Sequence, residues 1–557
     1  MNDSDLCLWI NNIISKFSSF TLMTVYFKKY SLLLSVIFFS NSLLFAQQAP
    51  HSQLPPVNNT AKQDALTSIT AKDLSDYLHI IASDSMEGRA TGEAGQKKAA
   101  LYLASKFKEF GLSPAVPTAD GKSYFQTFSL VEKSWQDVFV TIDGKKKVFL
   151  QDFYAYGDVQ LPEETKLQIV CAGYGIESKR YNDYEKLNVK DKGVIIFTGE
   201  PFKDSISLVS GTKQSSNWAN DWRAKADLAY KKGAKAVFVI VGNADQDFEK
   251  RLAALKGHLN APSMAFTHKK KASAFFIPLS MAAEMLHTTK DAINTYKKNI
   301  ALGIENPKFK SAKVTAKAGV TERKVNTENV LGIIEGNKYP EEIIVLSAHY
   351  DHLGIEGGKI HYGADDDGSG TVALIEIAQA FSIAKKEGFG PARTILFMPV
   401  TGEERGLMGS EYYTDKPVFP LKNTVVDLNI DMIGRLDEAH ANKEEYVYII
   451  GSNRLSSELH TISEQVNATY PKIELDYTFN SFDDPNRFYY RSDHYNFAKN
   501  NIPVIFYFSG VHEDYHKPTD TVDKIRFDKM AKITQLVFLT AWQIANLDHR
   551  LEVDVKE

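Results

Sequence analysis

Apolar and polar residues fall along the chain in three textures. In GQKKAALYLASKFKEFGL, Ala99, Leu103, Phe107 and Phe110 recur at helical spacing and Gly111 supplies a stop, so a one-faced helix is predicted. From about Gln136, shorter strand-like runs take over: VFVTID, KLQIVCAGYG and GVIIFTG. RAKADLAYKKGAKAVFVIVG then reads as a helix, a stop at Gly233 and a buried strand. Beyond Pro307 the apolar runs lengthen, in EEIIVLSAH, ARTILFMPVTG, NTVVDLNID and NIPVIFYFSG. Helical patterns, TVALIEIAQAFSIAKK and DKMAKITQLVFLTAWQIANL, lie between and after them. Continuous apolar strands separated by helices predict an α/β domain with a mostly parallel mixed sheet covered by helices on both faces. Residues 71–135 and 308–550 would form it, interrupted by a β-rich insertion over 136–307. Folding is expected to begin near Leu74.

The amino terminus departs from both patterns. KKYSLLLSVIFFSNSLLFAQQ runs from positive through apolar to small residues, the order of a secretory signal peptide, which predicts export to the periplasm or exterior and removal of residues 1–46. Met23 stands at the usual distance before this run and is a candidate true start. Residues 47–70, rich in Gln, Pro, Asn and Thr, read as a flexible leader. Of the two cysteines, Cys7 lies in the removable part, so Cys171 has no partner for an internal disulfide and reads as a buried strand residue. The apolar run is short and broken by Ser40, Asn41 and Ser42, so no stable membrane anchor is expected. A formal charge of −4, with no basic run interleaved with aromatics, makes nucleic acid an unexpected partner.

The candidate chemistry sits where ligands of a parallel sheet collect, at the carboxyl ends of strands. IIVLSA runs into His349, ILFMPVTG into Glu403 and Glu404, VVDLNI into Asp431, and VIFYFSG into the loop with Tyr515 and His516. GADDDGSG, with Asp365, Asp366 and Asp367 in succession, leads into a helix. Each cluster alone reads more readily as a solvated turn or pair than as a site. Together, two histidines and several carboxylates without cysteine suit a divalent ion of borderline hardness, zinc first. The number of acids points to two ions, since one carboxylate can bridge a pair.

SAHYDHLG, GADDDGSG, TGEERGLMGSEY, LNIDMIG, RSDHYNF and DYHKPTDTVDK, in this order, resemble the M28 family of co-catalytic zinc peptidases. ASDSMEGRATGEAGQKKAALYLASKFKEFGL is similar to that family's opening helix region, and the insertion, with GYGI, YNDY and KKGAKAVFVI, resembles a protease-associated domain. The resemblance spans roughly residues 70–550 and implies the zinc-dependent exopeptidase fold. It further implies that His349 and Asp431 hold one Zn2+, Glu404 and His516 a second, and Asp366 bridges them, with a cis peptide between Asp366 and Asp367. Glu403 would be the general base, Asp351 would accept from the ring of His349, and Tyr515 would donate to the oxyanion. Arg491 would stand beside the substrate. His352, Asp367 and His512 are expected to flank the ligands, and Asp493 and His494 to shape the wall.

The resulting expectation is an exported dinuclear zinc aminopeptidase acting on peptides. A carboxypeptidase or dipeptidase on the same centre is the alternative within enzymes. A receptor-like relative without catalysis is disfavoured by the complete ligand set and Glu403. Residue preference and oligomeric state are not specified by the sequence.

Overall fold

The computed structural model describes residues 60–555, apart from 158, 160, 261, 267–272 and 305–307. The predicted signal segment and most of the leader lie outside the described residues. From Gln63 onward the chain forms one compact unit.

Eight strands make the central sheet: β1 (Ser113–Pro114), β2 (Gly332–Ile334), β3 (Tyr339–His349), β4 (Arg393–Val400), β5 (Thr424–Ile430), β6 (Tyr446–Ile450), β7 (Glu474–Asp476) and β8 (Val504–Phe508). Their spatial order is β1-β2-β4-β3-β5-β8-β6-β7. The inner strands β4, β3, β5 and β8 run parallel. β2 and β6 join them antiparallel, which makes the sheet mixed.

Both faces are buried, and the alternation within a strand shows it. Ile344 and Leu346 of β3 enter one core while Ile343 and Val345 enter another. The first core is closed by helices α1 (Ala71–Ile81), α2 (Ala94–Phe110), α3 (Gly370–Lys386), α4 (Ser457–Thr469) and α5 (Phe527–Ala545). α2 buries Ala99, Leu103, Phe107 and Phe110, as its spacing predicts. It ends at Gly111 with φ 86°, where the Leu112 N–H donates to the Phe107 carbonyl at 2.9 Å. This left-handed cap accepts glycine without a Cβ clash.

The ordered fold starts before Leu74. Ala65, Leu66 and Ile69 are buried in the main core, so the part of the 47–70 segment from Ala65 is packed rather than a flexible leader. Ala65 and Leu66 lie on the short helix Thr60–Thr67, and Ile69 follows its end.

A long antiparallel ribbon carries the chain between the central sheet and the insertion. Phe125–Ile142 pairs with Val314–Val330, from Phe125 opposite Val330 to Ile142 opposite Val314. The ribbon therefore begins before residue 136 and ends after 307. Beyond it lies a five-stranded sheet, in the order Tyr154–Tyr156, Ala274–Ile277, Ala236–Ile240, Gly193–Phe197 and Ile169–Cys171; Cys171 is on a strand as expected but half-buried rather than buried, because it ends the edge strand. Its own core contains Phe153, Phe197, Phe238 and Phe275. Ser263–Ala265 folds back onto the ribbon and brings Met264 and Phe266 against Phe128 and Met408. Among the described residues, no helix is long and apolar enough to cross a membrane.

Arg89 ties the amino-terminal helices to the loops that follow β3. Its fully buried guanidinium donates to the main-chain oxygens of Tyr350, Ile81 and Tyr362, each at 2.8 Å, and of Gly363 at 2.9 Å. Arg89→Ala would leave these four acceptors unpaired, three of them buried, at about 1–3 kcal/mol each where water cannot replace the donor. Denaturant unfolding of Arg89→Ala is expected to show a loss of about 3 kcal/mol or more. An unchanged unfolding midpoint would contradict this role.

Candidate metal centre

The parallel strands deliver the predicted residues to one end of the sheet. His349 is the last residue of β3, Asp431 follows β5, Glu403 and Glu404 follow β4 in a tight turn, and His516 lies on the loop after β8. Asp366 comes from the turn that opens α3, and its peptide bond to Asp367 is cis.

The three adjacent aspartates divide their work. Asp367 accepts N–H bonds from Gly370 at 2.8 Å and from Met432 and His349 at 3.2 Å each. Asp365 accepts from the Gly434 N–H at 2.6 Å. Both outer carboxylates thus hold main chain, while Asp520 accepts the N–H groups of Asp365 and Asp366. Asp366 is left aimed at the histidines: one oxygen is 3.2 Å from His349 Nε2 and the other 3.1 Å from His516 Nε2.

Two groups of donors form around it. His349, Asp366 and Asp431 bring ligand atoms within 4.8 Å of one another, and so do His352, Asp366 and Glu404. His516 Nε2 is 3.2 Å from Glu404 Oε2 and joins the second group. His352, expected only to flank the ligands, is brought into that group, with Nδ1 2.8 Å from Glu404 Oε1. Its position three residues after His349, on the loop that leaves β3, was the available signal.

These close approaches are not hydrogen bonds. His352 Nδ1 and Nε2, Asp366 Oδ2, Glu404 Oε1 and Asp431 Oδ1 are buried and have no hydrogen-bond partner. Nitrogen and oxygen donors converging in a buried space without hydrogen bonds between them are the arrangement a cation satisfies. The donor set, imidazole and carboxylate without thiolate, fits zinc.

The electrostatics express the same demand. Burial works to lower the His349 pKa, but Asp431, Glu403 and Asp366 outweigh it and drive it well above the usual value. Burial likewise opposes protonation of His516, yet Asp366 and Glu404 raise it to about 10. Burial and Asp366 push Glu404 upward, and His352 and His516 overcome them to hold it at about 2. Glu403 moves the opposite way: burial raises it well above the ordinary carboxylate range against the pull of His349, with repulsion from Glu404, Asp431 and Asp493 adding to the rise.

Glu403 stands just outside the donor groups, 3.9 Å from His349 Nε2. The Asp351 expectation needs correcting. His349 Nδ1 lies 3.0 Å from the main-chain oxygen of Asp351, whereas the Asp351 carboxylate is 3.9 Å away. That carboxylate is occupied by the Thr91 hydroxyl at 2.7 Å and the Glu403 N–H at 3.3 Å, so it positions the turn that carries Glu403. Tyr515 stacks on His516 with ring centroids 3.8 Å apart. Asp493 accepts from Ser410 at 2.5 Å, and burial raises it to about 7. His494 is buried against Phe506, and His512 faces Asp365 at 3.3 Å.

A polar layer behind Asp431 was missed in the sequence. Ser492 donates to Asp431 at 2.8 Å, Asn429 donates to Ser492 at 2.9 Å, and the Ser347 hydroxyl lies 2.7 Å from Asp427. Polar side chains inside otherwise apolar strands were its signal, because buried polar groups require partners.

The centre opens into a cleft of about 610 Å³, lined by Glu403, Glu404, Arg405, Tyr490, Arg491 and Tyr515 on one side and by Tyr156 and residues 262–266 of the insertion on the other.

Residues 329–541 match the family model described as Peptidase family M28. A probable leucine aminopeptidase of Arthroderma otae (strain ATCC MYA-4605 / CBS 113480) is 32% identical over 237 residues, 41% of this chain and 61% of that protein. A probable zinc metalloprotease of Pyrenophora tritici-repentis (strain Pt-1C-BFP) is 28% identical over 268 residues, 40% of this chain and 52% of the relative. The match thus spans about half to three-fifths of these relatives. The aminopeptidase structure from Aneurinibacillus sp. strain AM-1 shares the fold, with a TM-score of 0.54 at 18% identity over 89% of this chain and 98% of that one.

Proposed function

We propose that the protein is a zinc-dependent exopeptidase that removes amino-terminal residues from peptides. The observation that carries this reading is the pair of buried donor groups, joined through Asp366, whose oxygen and nitrogen lone pairs converge without hydrogen bonds. The M28 family match over residues 329–541 supports the same chemistry. His349 and Asp431 would hold one ion, Glu404 and His516 the other, and Asp366 both, with His352 at the edge of the second group. Zinc, when bound, would supply Lewis acidity toward a carbonyl oxygen and lower the pKa of water.

The remaining work falls to side chains. Glu403 takes the proton from the attacking water at its carboxylate and returns it to the leaving amine. Tyr515 donates to the oxygen on which negative charge develops. Asp351 keeps Glu403 in place through the Glu403 N–H. Residues 136–307 act in this reading as a protease-associated insertion that supplies one wall of the cleft.

Purified protein is expected to contain about two zinc ions per chain, as a co-catalytic site requires. Chelation should abolish peptidase activity and added Zn2+ restore it. Full activity in protein verified to be metal-free would overturn the reading. Export is part of the proposal. Sequencing the amino terminus of secreted protein should show a start at Gln47, and an intact leader on that material would count against it.

A further inference from the structure

We infer that Arg405, with Arg491, forms an anchor for a carboxylate of the peptide substrate inside this cleft. The inference rests on the exopeptidase reading and adds to it a substrate class.

Arg405 is held by the turn that holds the two glutamates. The Gly406 and Leu407 N–H groups donate to the Glu403 carbonyl at 2.8 and 2.9 Å, and the Met408 N–H donates to the Gly402 carbonyl at 2.9 Å. Gly402, Gly406 and Leu407 all have positive φ, so the turn is tight and its side chains have fixed directions. Glu403 and Glu404 point to the metal centre, and Arg405 lines the cleft beside them.

The guanidinium is unused. Arg405 Nε is buried without a hydrogen-bond partner, and among the described residues Arg405 forms no ion pair. By contrast, the buried Arg89 binds main-chain oxygens on all sides, and the buried Arg393 pairs with Glu342 at 2.6 Å. Arg405 is half-buried as a residue, but its buried Nε is a donor without an acceptor, a costly group that a ligand acceptor relieves.

Arg491 adds a second cation to the same wall. Its guanidinium lies 4.9 Å from the Phe488 ring and, among the described residues, pairs with no carboxylate. Stacking on an aromatic face leaves the N–H edge free to fork onto a carboxylate. Glu411, the wall's acid outside the metal centre, has a partner of its own. Aromatic and apolar surfaces from Tyr490, Leu407, Met408 and Met264 enclose the remainder, the setting in which a few fixed charges determine selectivity.

Two substrate groups carry this chemistry: an acidic side chain next to the scissile bond, or the free carboxyl terminus of a dipeptide. Steady-state kinetics on four zinc-loaded reactions separates them: leucine p-nitroanilide against glutamate p-nitroanilide, and Leu-Gly against Leu-Gly amide. We expect kcat/KM to favour the carboxylate-bearing member of at least one pair by tenfold or more, and the pair that does so names the source. Arg405→Gln should collapse that ratio toward one, chiefly through KM, and Arg405→Lys should restore part of it, keeping charge without the fork. The wild-type ratios test the anchor even where a variant fails to fold. Ratios near one in both pairs, or a ratio untouched by Arg405→Gln in protein of normal zinc content, overturn the anchor alone. Failure to cleave any of the four overturns the exopeptidase reading and the anchor with it.

Discussion

Glu403→Gln is expected to bind zinc as the wild-type protein does while its turnover falls about 10²- to 10⁴-fold. An amide keeps the size of the carboxylate and its place in the turn but cannot accept a proton. Glu403 lies 3.9 Å from His349 Nε2, outside both groups of converging donors, so its loss leaves those groups intact. The adjacent residue supplies the contrast. Glu404 is 2.8 Å from His352 and 3.2 Å from His516, and Glu404→Gln should lose metal along with activity. Zinc content and kcat measured on the same preparations check both. Near-normal turnover in Glu403→Gln would show that another group moves the proton.

A free amino terminus is expected to be required. Peptides with a free terminus should lose a single amino-terminal residue rapidly, and their N-acetylated counterparts should be cut little. Glu403, Glu404, Asp366 and Asp431 surround the reacting position with negative charge, which an amine complements and an acetylated nitrogen does not. A site built around such a polar partner discriminates strongly when the partner is missing, because its own buried groups are left unpaired. Amidating the carboxyl terminus of peptides of six or more residues should matter little, since that end extends well away from the metal centre. The reverse pattern would make the enzyme a carboxypeptidase, and dipeptide release would indicate a deeper amino-terminal pocket.

Legibility in the sequence followed local determinism. α2 could be read because Ala99, Leu103, Phe107 and Phe110 bury a face that the helical period alone defines, and Gly111 ends it by backbone geometry. The inner strands could be read because parallel strands buried on both faces are uninterruptedly apolar, and their carboxyl ends located His349, Glu403, Glu404 and Asp431. What escaped was set by long-range packing. Whether Asp351 meets His349 by carboxylate or carbonyl depends on Thr91, far off in the chain, competing for the carboxylate. Arg405 looks like one more solvated charge beside two acids until the cleft and its unpaired Nε are seen. The start of the fold was placed late because Ala65, Leu66 and Ile69 gain their role only from the core they meet.

The ribbon of Phe125–Ile142 against Val314–Val330 governs the order in which the molecule can assemble. α1 and α2 are synthesised before the insertion, yet the strands they cover come after it. At roughly 5–20 residues per second, these helices wait on the order of ten seconds or more for partners about 200 residues downstream. Closing so long a loop directly is entropically unfavourable. The insertion has its own core, so it can fold in that interval and zip the ribbon from Ile142–Val314 toward Phe125–Val330. Zipping delivers β2 and β3 beside the waiting helices, leaving only a short closure to complete the central sheet. A defect in the insertion would therefore surface first as slow or failed maturation of the metal centre, although no metal ligand lies within it.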